Sequence, residues 1–274
     1  MNQTRGIGKM EREQKISSGQ KMNPTCTDSK CTSCHGSGWV LTEENGITYA
    51  RECTCGIMRK EALQKSLQFA NIPEAFSEVR LDSFRKDIYR REESRLIIEK
   101  DCKAIRWWLD NMQVMKEQGT GLYLYSGAKG SGKTRMAVSI ANELIYAKGM
   151  TVKFATSIQI LNEIKASWRE EDGMTEHRLL NDLSEAEVLI IDDFGIETVK
   201  DWIEEKLYHI INTRYINRMI TIFTSNLSMD ELDYDDRIIN RIKEKNFPLT
   251  FPNESVRDYI AEDNLKQLKA VMAS

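Results

Sequence analysis

From Ile72 onward, short apolar runs alternate with longer stretches whose apolar residues recur at helical spacing. Buried parallel strands joined by amphipathic helices produce this pattern, so the chain predicts an α/β fold with a five-stranded parallel sheet between helices. The expected strands are Leu122–Tyr125, Thr151–Ala155, Val188–Ile191, Ile220–Thr224 and Pro248–Phe251. The expected helices are Lys133–Lys148, Ser157–Arg169, Lys200–Asn217, Asp235–Lys245 and Ser255–Val271.

The pattern upstream is different. Residues 1–22 are polar, carry five Lys/Arg against two Glu and lack an apolar period, which predicts a mobile tail. A cysteine-rich module is expected over 23–56. Ile57, Leu63, Leu67 and Ala70 then share one helical face, giving a connecting helix over 57–71 that Asn71-Ile72-Pro73 breaks. The remaining residues, 72–274, form the α/β domain.

With 274 residues and 41% apolar content, the chain has enough material for one full domain and a smaller unit. No apolar run approaches the roughly 18 residues that span a bilayer, and the expectation is a cytoplasmic protein with no membrane segment. The net charge of -3 gives no general attraction to nucleic acid, so any DNA contact has to be local.

The strand at Leu122 runs into Gly127-Ala128-Lys129-Gly130-Ser131-Gly132-Lys133-Thr134, and Met136, Ala137, Ile140 and Leu144 follow at helical spacing. Strand, glycine-rich loop and helix are the setting of a phosphate-binding loop (P-loop): the backbone N–H groups turn inward around phosphate oxygens at the positive end of the helix. In such a loop Lys133 reaches the β- and γ-phosphates of ATP and the Thr134 hydroxyl ligates Mg2+. The alternative is a flexible turn before a surface helix.

Val188-Leu189-Ile190-Ile191 ends in Asp192-Asp193, and carboxylates at the end of a buried strand are costly unless used. One use is for Asp192 to hold Mg2+ and for Asp193 to polarise an attacking water, with an acidic N-cap of the next helix as the structural alternative. Ile220–Thr224 ends in Ser225-Asn226, where Asn226 can align that water or serve turn chemistry alone.

Five of the six cysteines lie between Cys26 and Cys55. Cys31-x-x-Cys34 and Cys53-x-Cys55, separated by eighteen residues, suit a tetrahedral Zn2+ site in a zinc-ribbon-like module, with a hairpin around Glu44-Asn45-Gly46. Cys26 or His35 is an alternative ligand. Cys31-Thr32-Ser33-Cys34-His35 also matches a haem-attachment motif, which leaves Cys53 and Cys55 unexplained, and a redox dithiol lacks its usual strand and helix setting. Cys102 shares a helical face with Ile98, Ile105 and Leu109 and reads as core.

The segments 127–134, Val188–Gly195, Thr224-Ser225-Asn226 and Arg237-Ile238-Ile239-Asn240-Arg241 together resemble the AAA+ ATPases of the DnaC/DnaI helicase-loader group, as does Ile72–Phe84. The resemblance covers roughly 72–265 and implies an AAA+ P-loop core. It implies that Arg241 is an arginine finger acting on ATP held by a neighbouring subunit, with Arg237 as competitor, and that Arg257 is the sensor-2 arginine. Two solvated helix arginines are the plainer account of both.

Most AAA+ ATPases carry Glu where this chain has Asp193, although Asp-Asp is common among these loaders. The shorter side chain predicts slow, switch-like hydrolysis. The partners implied are a hexameric replicative DNA helicase, which the zinc module would contact, single-stranded DNA, and further copies of the chain through shared ATP sites. Lys165, Trp168 and Arg169 are candidates for the DNA contact. Two other functions share these features. One is an IstB-type transposition helper ATPase, and the other is a small-molecule P-loop kinase whose lid would draw on Arg237, Arg241 and Arg257.

Overall fold

The computed structural model describes residues 31–44, 47–167, 174–196 and 201–273, which divide between Lys60 and Glu61 into two units. The expected tail, Cys26, the turn residues Asn45 and Gly46, and Trp168 and Arg169 lie outside the described residues.

In the first unit β1 (Trp39–Glu44) and β2 (Ile47–Glu52) form the expected antiparallel hairpin, with Leu41 opposite Ala50 and Thr42 opposite Tyr49. Val40 packs on the cysteines, while Trp39 and Leu41, one residue to either side, are exposed as strand alternation requires. Helix α1 (Ile57–Ala70) has the expected bounds. Its residues Leu63, Leu67 and Ala70 pack in the core of the second unit.

That unit continues through two short 3-10 turns, Glu74–Phe76 and Leu81–Ser83, into α2 (Glu92–Asp110) and α3 (Met112–Gln118). Then follow β3 (Gly121–Tyr125), α4 (Lys133–Tyr146), β4 (Val152–Thr156), α5 (Ser157–Ser167), α6 (Met174–Glu185) and β5 (Val188–Phe194). The chain ends with α7 (Asp201–Ile216), β6 (Ile220–Ser225), α8 (Asp236–Lys245), β7 (Asn246–Thr250) and α9 (Arg257–Ala273).

All five strands of the large sheet are parallel, in the order β4-β5-β6-β3-β7. The expected five-stranded sheet is therefore present, and β6 is inserted between the strand of the phosphate loop and the strand of the acidic pair. Strand alternation divides the core. Leu122, Leu124, Val188, Ile190 and Ile222 face one cluster with α4, whereas Tyr123, Leu189, Ile191 and Phe223 face another with α5 and α7.

Three differences from the expected elements have local causes. Strand β7 begins at Asn246 rather than Pro248, directly after α8, because the Asn246 side-chain amide donates to the Ile242 carbonyl at 2.9 Å and closes the helix end. Helix α9 starts at Arg257 rather than Ser255, since Val256 N–H donates to Gly130 O at 3.0 Å and stays outside the helix. Helix α6 escaped the pattern because its described apolar contacts come from only Leu179, Leu180 and Leu183 in an otherwise polar stretch.

Arg214 of α7 is fully buried. Its guanidinium donates to Leu183 O at 2.8 Å, Ala186 O at 2.9 Å and Thr221 Oγ1 at 3.0 Å, and to Ile220 O, so it closes the end of α6 and joins it to β6. Burial pushes its pKa down to about 9, and this set of acceptors keeps it charged at neutral pH.

Candidate functional site

The phosphate loop leaves β3 at Tyr125 and is strapped from behind by the segment after β7. Phe251 N–H donates to Tyr125 O at 2.8 Å, and Ser126 Oγ donates to Pro252 O at 2.9 Å. Gly130 and Gly132 have φ of 78° and 97°, a region glycine enters freely. Space also requires them. A Cβ on Gly130 would lie 2.9 Å from Ser255 Oγ and Arg257 Cγ, and one on Gly132 would lie 2.9 Å from the Tyr89 hydroxyl, which itself donates to Ser131 O at 2.7 Å.

Lys133, at the start of α4, is buried inside this loop. Its ammonium donates to Ser126 O and Ala128 O, both at 3.3 Å, to Ser131 Oγ at 3.4 Å, and to Asn226 Oδ1 at 3.0 Å. Burial lowers its pKa, while the carboxylates of Asp193 and Asp192 pull it back up. Arg257 is close enough to oppose the Lys133 charge.

The acidic strand end reaches the same place. Thr134 Oγ1 donates to Asp192 Oδ2 at 3.2 Å, and Thr224 Oγ1 of β6 donates to Asp192 Oδ1 at 2.6 Å. Asp192 is 4% exposed, and burial raises its pKa, with Asp193 adding repulsion and the two threonine hydroxyls lowering it. Asp193 is left-handed at φ 54°, and its N–H donates to Thr224 Oγ1 at 3.0 Å. Lys133 with Asn226 and Thr134 with Asp192 thus form two hydrogen-bonded pairs at the start of α4, with Asp193 and Arg257 close to the Lys133 charge. Such a site, with a glycine-rich loop, a buried ammonium and a hydroxyl–carboxylate pair, fits a nucleoside triphosphate with Mg2+ at Thr134 and Asp192.

The family model of IstB-like ATP binding proteins matches residues 113–240, the stretch that holds the loop, the acidic strand and Asn226. The replicative helicase loader DnaC of Escherichia coli (strain K12) is 30% identical over 123 residues, 44% of this chain and 49% of that protein. The uncharacterized protein YqaM of Bacillus subtilis (strain 168) is 26% identical over 219 residues, 78% of this chain and 63% of that protein. A crystal structure of the DnaC helicase loader superposes with a TM-score of 0.54 at 24% identity, covering 66% of this chain and 100% of that one, which shows a shared fold. Over residues 113–240 the chain is similar to the IstB/DnaC-like ATP-binding family. It spans 49% of the length of the DnaC protein and 63% of YqaM.

In the second unit the two arginines occupy different places. Arg257 packs its side-chain carbons against Gly130, at the chain's own phosphate loop. Arg241, on α8, donates to Asn212 Oδ1 at 2.9 Å and Arg237 O at 2.8 Å, and its guanidinium lies 5.2 Å and 5.3 Å from the ring centres of Tyr208 and Tyr215. Arg237 is paired with Asp235 at 2.9 Å. These contacts of Arg241 are with α7 and α8. Lys165 lies over the Trp202 ring at 5.3 Å.

In the first unit the sulfurs of Cys31, Cys34, Cys53 and Cys55 all lie within 4.8 Å of one another, with Cys31–Cys53 at 3.7 Å and Cys34–Cys55 at 3.6 Å. Four thiolates on a tetrahedral Zn2+ stand about 3.8 Å apart, so this set fits the ion. The N–H groups of Cys34 and Ser33 pull the Cys31 thiol down to about 6. His35 is not in this group. No helix among the described residues is long and apolar enough to cross a membrane.

Motif reading gives Thr224, Tyr89 and Ser157 no role, yet Thr224 bridges both aspartates and Tyr89 holds the loop. The hydroxyl pair at the end of an apolar strand, Thr224-Ser225, was the available signal for the first. Nothing local marks Tyr89, which reaches the loop from 42 residues away.

Since burial raises the Asp192 pKa, its ionised form costs the nucleotide-free protein stability. A carboxyl with a raised folded pKa contributes stability that is present at low pH and lost as pH rises through that value. Asp192→Asn should therefore raise the thermal unfolding midpoint of the nucleotide-free protein by a few degrees at neutral pH, and the gain should shrink on acidification toward the ordinary carboxylate range. An unchanged or lower midpoint at neutral pH would contradict this.

Proposed function

We propose that this chain is an ATPase of DNA replication that binds a hexameric replicative DNA helicase and loads it onto single-stranded DNA. The observation that carries the reading is that two hydrogen-bonded pairs, Lys133 with Asn226 and Thr134 with Asp192, meet at the start of α4 beside the glycine-rich loop. It occurs in a chain similar to proteins whose name is replicative helicase loader.

The roles follow from chemistry. Gly127, Ala128, Lys129, Gly130, Ser131 and Gly132 wrap the phosphates, and Lys133 exchanges its present carbonyl and amide partners for phosphate oxygens. Thr134 and Asp192 would hold Mg2+, which when bound would supply neutralisation of phosphate charge. Asp193 accepts the proton of the attacking water and Asn226 orients that water. Arg257 places a cation beside the phosphates of its own chain, whereas Arg241, which contacts α7 and α8, is the finger for a neighbouring chain. An Asp in place of the longer Glu makes turnover slow, so bound ATP acts as a switch. Residues 72–274 are the ATPase domain, 23–56 a module closed by structural Zn2+ that contacts the helicase, 57–71 the link between them and 1–22 a tail.

The match to the IstB model supports a second reading, a transposition helper ATPase with the same nucleotide chemistry and a transposase as partner. Capture of replicative helicase by the tagged full chain separates the two. Binding that depends on ATP, and is lost in Lys133→Ala, supports the loader, while no helicase binding with or without ATP defeats it. Lys133→Ala should abolish ATP binding, whereas Arg241→Ala should spare it and lower turnover by about tenfold or more. Equal loss of affinity in both variants would refute the shared site. Protein purified without chelator should carry about one Zn2+ per chain by elemental analysis, lost in Cys53→Ser. A metal-free wild type would refute the zinc module.

A further inference from the structure

Strand β5 is irregular where its chemistry begins. Ile191 pairs with Phe223 and Phe194 pairs with Ser225, so Asp192 and Asp193 together oppose the single residue Thr224. Two residues against one is a β-bulge, and here the extra residue is left-handed. Its effect shows in the side chains that follow. Leu189 and Ile191 face the cluster with α5 and α7, and in a regular strand Asp193 would come next on that face. Phe194 takes that face instead, 4.9 Å from the Phe223 ring centre and 5.0 Å from that of Tyr234. The bulge thus keeps a carboxylate out of an apolar core and leaves it beside Asp192.

A bulge strips the extra residue of its ladder partner, and the opposing residue supplies the replacement. Thr224 Oγ1 accepts from Asp193 N–H at 3.0 Å and gives its own proton to Asp192 Oδ1 at 2.6 Å. Thr224 is fully buried and sits on the α4 face, in alternation with Ile220 and Ile222. Two more hydroxyls hold the same turn: Ser157 Oγ, at the start of α5, donates to Asp193 O at 2.8 Å, and Ser225 Oγ donates to Phe194 O at 2.6 Å.

We infer that Thr224 is a positioning residue whose single hydroxyl locks the bulge and fixes both carboxylates together, with Ser157 and Ser225 as supports. The inference rests on the ATPase reading and deepens it. Thr134 engages Asp192 Oδ2 and Thr224 engages Oδ1, so were Thr134 to turn to Mg2+, Oδ2 would be free while Thr224 would still hold Oδ1. The same hydroxyl sets the backbone that aims Asp193. One side chain therefore couples the metal-holding carboxylate to the water-activating one.

Valine has the shape of threonine without its hydroxyl, and serine keeps the hydroxyl without the methyl. Full-length wild type, Thr224→Val and Thr224→Ser are compared for kcat and KM of ATP hydrolysis, and for ATP affinity with Mg2+ or with chelator. The expected result is that Thr224→Val loses about tenfold or more in kcat and most of the Mg2+-dependent gain in affinity, keeps its affinity in chelator within about twofold, and that Thr224→Ser recovers most of the loss. Equal losses in both variants, or wild-type kcat and Mg2+ dependence in Thr224→Val, would overturn the inference. A wild type that binds ATP without turning it over would defeat the ATPase reading instead, and the Mg2+ dependence of affinity then decides the role of Thr224. If circular dichroism shows Thr224→Val unfolded, Ser157→Ala tests the same lock: it should lower kcat several-fold at constant KM, and an unchanged kcat would overturn the inference.

Discussion

Two adjacent carboxylates at the end of a fully buried strand are the constraint around which this domain is arranged. Asp192 is almost inaccessible to solvent and Asp193 adjoins it, so burial and the neighbouring charge both raise the Asp192 pKa. The surrounding structure compensates from several directions. Thr134 comes from the helix of the phosphate loop, Thr224 from the inserted strand β6, and the buried Lys133 supplies positive charge. The sheet order makes this possible, because β6 lies between β3 and β5 and brings Thr224 and Asn226 to the same edge. In the proposed function a metal–phosphate complex relieves this cost.

The segment from Phe251 to Arg257 performs a second, less evident task. It bonds the base of the phosphate loop through Phe251, Pro252 and Val256 and sets Arg257 against Gly130. Within it Glu254 is buried and accepts from the N–H groups of Arg90 and Arg91 at the start of α2. Burial pushes its pKa up, but the Ser94 hydroxyl and these N–H groups more than offset that. Rearrangement of the loop around a ligand therefore has direct bonded routes to α9 and, through Glu254, to α2.

Much of this was legible in the linear pattern because it depends on local rules. The loop from Gly127 to Thr134, the apolar run before Asp192 and the paired cysteines each announce their chemistry within a few residues, and α1 was bounded by Asn71-Ile72-Pro73 at one end. The sheet's five parallel strands followed from alternation alone. What escaped were features made by contacts distant in sequence. The bulge at Asp193 depends on Thr224, some 31 residues away, and the Tyr89 brace on folding of the segment before α2. Helix α6 was missed because its few apolar positions resemble a polar loop, and the early start of β7 because Asn246 serves as helix cap and strand residue at once. The resemblance gives Arg241 and Arg257 different roles, and the fold sets Arg257 against its own loop and Arg241 against α7.

The central claim is that the buried aspartate and the phosphate loop form one Mg2+-dependent ATP site. Calorimetric titration of ATP into wild type and Asp192→Asn, each with Mg2+ and with chelator, tests it most directly. The account predicts that Mg2+ tightens binding to wild type by about tenfold or more and leaves Asp192→Asn nearly unaffected. The same Mg2+-dependent gain in both proteins would contradict it.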